Sequence, residues 1–153
     1  LPFAAALGLN EQLSAFFDAD DNLLPSANTE YRPNEPDERS TQEILDISLC
    51  YAAYGGSQEA VDWLVARGAS VDAQTPGFIE FTRADFMSPV NCATWSDDDA
   101  MIRHLAALGA DLEQNHPKFG FTPVWLANFL DRPRAKAVLR ELLAEDTAAD
   151  RQR

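Results

Sequence analysis

The stretch ARGASVDAQ (residues 66–74) returns 41 residues later as ALGADLEQN (residues 107–115). In each, a small residue, a spacer and a Gly-Ala pair lead into a polar, an aliphatic and an acidic residue. Upstream of Gly68, the residues Val61, Leu64 and Val65 stand at i, i+3 and i+4, one apolar stripe on a helix. Ile102, Leu105 and Ala106 repeat the pattern before Gly109. It is also found at Leu13, Phe16 and Phe17, and at Leu139, Leu142 and Leu143. A phrase written this way more than once implies a repeat architecture, in which one unit buries its face only against its neighbours.

Each stripe is preceded by a shorter helical signal carrying a pair of small residues. Ala4-Ala5, Ala52-Ala53 and Ala93-Thr94 stand nine residues before the first stripe position, and Ala127-Asn128 stands twelve before it. Three residues after each pair comes Gly8, Gly56, Asp97 or Asp131, types that tolerate a left-handed turn. Ser88-Pro89 and Thr122-Pro123 offer a capping hydroxyl followed by proline at the first helical position. In the second unit "STQE" from Ser40 to Glu43 reads as a capping box, so that helix starts early. In the last unit "DRPRAK" predicts a longer link between the helices. The unit is short helix, turn, longer helix, loop.

The stretch "AAYGGSQEAVDWLVARGASVDAQ" resembles an ankyrin repeat along its whole length, and "SPVNCATWSDDDAMIRHLAALGADLEQ", "GFTPVWLA" and "AAALGLNEQLSAFFDADDNL" resemble further repeats. The resemblance implies an all-α, ankyrin-like helix-turn-helix solenoid of about four repeats with long inter-repeat fingers. On this reading one domain spans residues 1–153. Its parts are repeat 1 at about 1–24, an insertion at 25–43, repeat 2 at 44–73, a finger at 74–87, repeat 3 at 88–114 and a capping repeat at 120–145. The small pairs are spaced by 48, 41 and 34 residues, against about 33 in the family. The excess falls between repeats. The histidine favoured after Thr-Pro-Leu is replaced by Cys50, Asn91 and Trp125. The hydrogen-bond network that histidine usually makes is therefore not expected.

Composition excludes several functions. The 153 residues, 46% hydrophobic and 24% charged, suit a soluble single domain rather than a disordered chain. No apolar run approaches the roughly 20 residues that span a bilayer, so no membrane partner is expected. "LPFAAALGL" lacks a basic region and does not read as an intact signal peptide; the absent Met suggests a trimmed start. The net charge of −13 argues against nucleic acid, which needs a Lys/Arg footprint. Residues 1–50 carry 10 acidic and 2 basic groups, residues 51–112 carry 9 and 3, and residues 113–153 carry 6 and 7. The acidic part suits a basic protein partner. Cys50 and Cys92 lack metal-ligand spacing and read as buried apolar side chains, which fits a reducing, cytoplasmic setting.

Neither a catalytic site nor a cofactor or metal site is legible. "DADDNLLPSANT" from Asp18 has calcium-loop oxygens at its first positions, but Leu23 and Thr29 stand where Gly and Glu belong. Asp97, Asp98 and Asp99 read as a helix start. His104 is expected on the open side of its helix and His116 in a loop, with no ligand spacing between them. No nucleophile elbow, phosphate loop or small-molecule substrate site is readable, so the chain is not expected to be an enzyme.

What remains is an aromatic series. The position after the small pair is Tyr54, Trp95 and Phe129 in units two to four. The ankyrin resemblance implies that this position faces a concave groove. The insert from Thr75 adds Phe78, Ile79, Phe81 and Phe86, and the alternation of Ile79, Phe81 and Arg83 predicts a short hairpin finger, which either joins the binding face or covers the series. The insert "PSANTEYRPNEPDER" reads as a polar loop anchored at Tyr31. The function expected is a non-catalytic protein-binding module using Tyr54, Trp95, Phe129, Phe78, Ile79, Phe81 and Arg83. The alternatives are a dedicated inhibitor or immunity protein that neutralises a basic effector or enzyme, and a targeting domain of a longer chain.

Overall fold

The computed structural model describes residues 1–27, 39–75 and 87–150. Among these residues eight α-helices follow one another: α1 (Pro2–Ala6), α2 (Asn10–Leu13), α3 (Thr41–Gly55), α4 (Gln58–Val65), α5 (Pro89–Trp95), α6 (Asp99–Ala107), α7 (Pro123–Phe129) and α8 (Pro133–Asp150). They form four helix pairs. The first helices α1, α3, α5 and α7 contact one another in that order, and α6 packs on α8. The expected all-α repeat stack is the observed one. No helix among the described residues is long and apolar enough to cross a membrane.

Local chemistry starts each helix. The Ser88 and Thr122 hydroxyls accept from the amides of Asn91 and Trp125, with Pro89 and Pro123 in the first turn. Ser57 and Asp98 cap α4 and α6 through the amides of Ala60 and Met101. Ser40 and Glu43 form the predicted capping box, so α3 begins at Thr41, inside the stretch read as an insertion. The hydrogen bonds from the Ser40 hydroxyl and then its amide hold the Glu43 carboxyl below its ordinary range. All four expected turn residues are left-handed, with φ of 64° at Gly8, 78° at Gly56, 56° at Asp97 and 53° at Asp131. Asp97 does more than tolerate the turn. Its carboxylate accepts the Ala135 amide at 2.9 Å, tying the third unit to the first turn of α8.

The core follows from the small pairs. Ala5, Ala52, Ala53, Ala93, Thr94 and Ala127 are completely buried, so the first helices approach at the width of a methyl group. Gly55, at the end of α3, carries this furthest: a Cβ there would overlap the carbonyl oxygen of Ala6 in α1. Leu64, Leu105 and Leu139, each twelve residues after its own Ala52, Ala93 or Ala127, are wholly buried on the second helices. Burial of each contributes about 1.5–3 kcal/mol.

Four expectations are corrected. The "DRPRAK" link is no longer than the others, because Pro133 opens α8 directly and Arg134, Ala135 and Lys136 are already helical. The fourth stripe is therefore one turn earlier than Leu139, Leu142 and Leu143. It consists of Ala135, Val138 and Leu139, which are buried, while Leu142 and Leu143 are only partly covered. In the first unit, α2 stops at Leu13 and passes through a 3₁₀ turn at Ser14–Phe16. Phe17 is then extended, pairs with Leu23 and sets its ring edge against Trp63 at 5.2 Å. The Asp18 carboxylate accepts the amides of Asp20 and Asn22, both at 2.9 Å, and closes this acidic turn on itself. Arg67 locks the same corner, with its guanidinium 3.8 Å from the Trp63 ring centre and 3.3 Å from Asp21. Finally, His104 is not on an open face: its side chain is 23% exposed and its Nε2 lies 2.7 Å from Asp62 of α4.

Side-chain to backbone hydrogen bonds tie the loops down where the family histidine is missing. Within the second unit Asp46 of α3 accepts the Ser70 amide at 2.8 Å; between the second and third units Asp72 accepts the Asp111 amide at 2.7 Å and Gln114 donates to the Asp72 carbonyl at 2.8 Å.

Two outcomes are expected. Gly55→Ala must push α1 off α3 because the obstacle is backbone, costing about 1–3 kcal/mol. Thermal unfolding by circular dichroism, with amide exchange across residues 1–27, checks this; unchanged protection there would contradict it. Glu43 has a lowered folded pKa, so its stabilisation is present above the ordinary carboxylate range and fades as pH falls through the folded value. Glu43→Gln is expected to cost about 0.5 kcal/mol at neutral pH, after discounting for exposure, and to converge with wild type in acid.

Candidate functional site

The loop from His116 to Phe121 builds one wall of the site. The His116 amide donates to the Phe121 carbonyl and the Gly120 amide donates back to the His116 carbonyl, both at 2.8 Å. The His116 ring is buried, and its Nδ1 accepts the amides of Lys118 and Phe119 at 3.2 Å each. A nitrogen that accepts two amides carries no proton, so the neutral imidazole holds this turn. Its ring lies 5.0 Å from Phe119 and 4.4 Å from Phe121, and aims both phenylalanines outward.

Phe121 then starts a ladder. Phe121, Trp125 and Phe129 are spaced by four residues and share one face of α7 and its entry. The Phe121 and Trp125 rings stack at 5.3 Å and 19°, and those of Trp125 and Phe129 at 5.0 Å and 10°. These aromatics are not core. Trp125 is 49% and Phe129 70% exposed. Trp95 of α5 and the buried Met87 and Leu126 also line this groove, which holds about 470 Å3.

Of the predicted residues, Trp95 and Phe129 line this groove. Tyr54 is exposed on α3 and is not part of the lining. Phe78, Ile79, Phe81 and Arg83 lie outside the described residues, as do Phe86 and Tyr31. The base of the segment that carries the finger residues is described. Thr75 and Met87 pair in antiparallel fashion through hydrogen bonds of 3.0 and 2.9 Å. Phe119, Phe121 and Trp125 were not singled out for the site by the sequence. The four-residue spacing of Phe121, Trp125 and Phe129 was a legible signal for the last two of these.

The remaining reactive groups serve structure. Cys50 and Cys92 are buried free thiols, and burial first, then the neighbouring Cys50, pushes the Cys92 thiol up and keeps it protonated. Asp98 caps α6, while Asp97 and Asp99 each face Arg134 at 3.6 Å. Among the described residues no three His, Cys, Asp or Glu side chains converge as a metal site.

The ankyrin repeat family model matches residues 48–76, which run from within α3 through α4 to the base of the following segment. Over these residues the chain is similar to an ankyrin repeat, and its helix pairs stack as an all-α, ankyrin-like repeat. Ankyrin repeats are in general non-catalytic protein-interaction modules. No curated protein matches the chain.

His116→Ala leaves the Lys118 and Phe119 amides without their acceptor and is expected to cost about 1–3 kcal/mol. Denaturant unfolding measures the loss, and the exchange rates of those two amides should rise; if they stay slow, the ring is not what holds the turn.

Proposed function

We propose that the chain is a non-catalytic protein-binding module whose partner seats in the groove between α5, α7 and the 116–121 loop. One observation carries this reading: Trp125 and Phe129, two large rings 49% and 70% exposed, stack side by side at the rim of an apolar cleft. Exposed aromatic surface of this size is retained where something covers it, and rigid Trp and Phe anchors are the residues that dominate binding energy. The ladder is pre-organised. Its rings are held by one helix and by the His116 turn, so little side-chain entropy is lost on binding.

Charge supports a basic partner. The acidic excess lies in residues 1–112, while most of the groove lining, from Phe119 to Phe129, belongs to the nearly neutral C-terminal quarter. A partner with an apolar anchor and a basic flank would be steered by its basic flank and retained by its apolar anchor. Tyr54, and the finger residues Phe78, Ile79, Phe81 and Arg83, extend the proposed surface.

The test is affinity capture with wild type and a Trp95→Ala, Trp125→Ala, Phe129→Ala triple variant, both verified as folded by circular dichroism. Capture of a protein by wild type and its loss from the variant is expected, with Trp125→Ala alone weakening the interaction by about 2 kcal/mol, roughly thirtyfold. Equal capture by both forms would exclude the groove. The association rate should also fall with added salt if the acidic half steers the partner.

A further inference from the structure

We infer that the face of α8 turned away from α6 is a second docking surface, separate from the groove, and that its occupant is a partner helix bearing carboxylates one turn apart. Charge complementarity carries the inference. Acidic residues outnumber Lys and Arg by 25 to 12, and the cations of the other elements find carboxylates or rings. Arg67 pairs with Asp21, Arg103 with Glu141, and Arg134 with Asp97 and Asp99. Arg132, Lys136 and Arg140 pair with no carboxylate among the described residues. These three are not scattered. The Lys136 amide donates to the Arg132 carbonyl at 3.0 Å, so they rise one turn at a time along a single stripe about 12 Å long. Arg134 and Glu141, which reach α6, lie roughly 100–160° round the helix from Lys136 and Arg140. No residue of α8 lines the groove.

The stripe also breaks a local rule. In α3, α4 and α6 the first turn carries Glu43, Glu59 or Asp99, where negative charge meets the helix dipole favourably, and in α8 it carries no acid. Arg134 and Lys136 stand there instead, and only Arg134 has carboxylates beside it. A helix start charged against its own dipole is a cost that an occupant's carboxylates relieve. The form of the occupant follows from the dimensions. A single phosphate cannot reach three residues spread over about 12 Å. Nucleic acid or an anionic membrane meets the repulsion of a chain with net charge −13. A bilayer also finds no exposed large apolar side chain among the described residues of α8. A helix fits, because Ala137 and Ala144 are exposed two turns apart beside Lys136 and Arg140. Methyl groups there permit the close approach that alanines give the first helices. A helix lying along α8 with a carboxylate at every fourth residue stays in step with the stripe.

The experiment titrates an alanine-based helical peptide with glutamate at every fourth position into the full, isotope-labelled chain and follows its amide resonances. The same peptide with glutamine at those positions, and one with a central proline, are the comparisons. Saturable shifts between residues 132 and 144 are expected with the glutamate peptide, weakening as salt rises from about 50 to about 500 mM. Affinity should fall about tenfold in Lys136→Glu and in Arg140→Glu, both exposed enough for the fold to be kept, and about tenfold for the proline peptide. Lys118→Glu changes the net charge equally but lies off the stripe, and should alter affinity by less than about twofold. The inference is overturned by no saturable shift at millimolar peptide, by equal binding of the glutamine or proline peptide, or by equal losses in Lys118→Glu and Lys136→Glu. The Trp95→Ala, Trp125→Ala, Phe129→Ala variant should bind the glutamate peptide as wild type does. If it does not, the peptide sits in the groove and the second surface falls, whatever protein the groove captures.

Discussion

The structure depends on how closely four short helices can lie side by side. Alanine or threonine stands wherever α1, α3, α5 and α7 meet, and nearly all of these side chains are completely buried. A methyl group at the contact allows the backbones to approach and brings the larger leucines of the second helices into a continuous layer. No single pair of helices could bury that layer alone, so stability is shared between neighbours. At Gly55 even a methyl group is too large, because the Ala6 carbonyl already occupies its place.

Close stacking leaves the polar backbone at the turns to be satisfied, and acidic side chains do most of that. Asp98 caps α6, Asp97 reaches the amide of Ala135, and Asp46 and Asp72 take amides from a neighbouring turn. Part of the large negative charge of the chain is therefore structural. A carboxylate accepting amides at a helix start or a tight turn is stabilised by the dipoles it meets.

The aromatic residues divide by the same logic. Phe17 and Trp63 are packed around Arg67 and hold the first unit in place. Trp125 and Phe129 lie on α7 beside the groove it shares with Trp95 of α5, and they remain exposed. A buried histidine orients the loop beside them by accepting two amides. It builds a wall of the groove without touching anything that enters it.

The repeat, the caps, the left-handed turns and the small contact residues were legible because each is a local requirement expressed at fixed spacing. Ser40 with Glu43, Thr122 with Pro123 and the four turn positions need nothing beyond their immediate neighbours to act as they do. The register of the last helix was not legible in this way. Leu139, Leu142 and Leu143 make as good a stripe as Ala135, Val138 and Leu139, and only packing on α6 and α7 selects the second. The groove was half legible: Trp95 and Phe129 follow from the repeat position, but the ladder runs along α7 rather than across the stack, since residues four apart on one helix are closer than equivalents on adjacent ones. The part played by His116 follows only from the folded loop, because a histidine acquires a role when particular amides are brought to its ring. The sequence by itself determined the repeating unit, through short-range chemistry. The tertiary structure alone decided which aromatic faces stayed open, since exposure depends on which elements pack over a side chain.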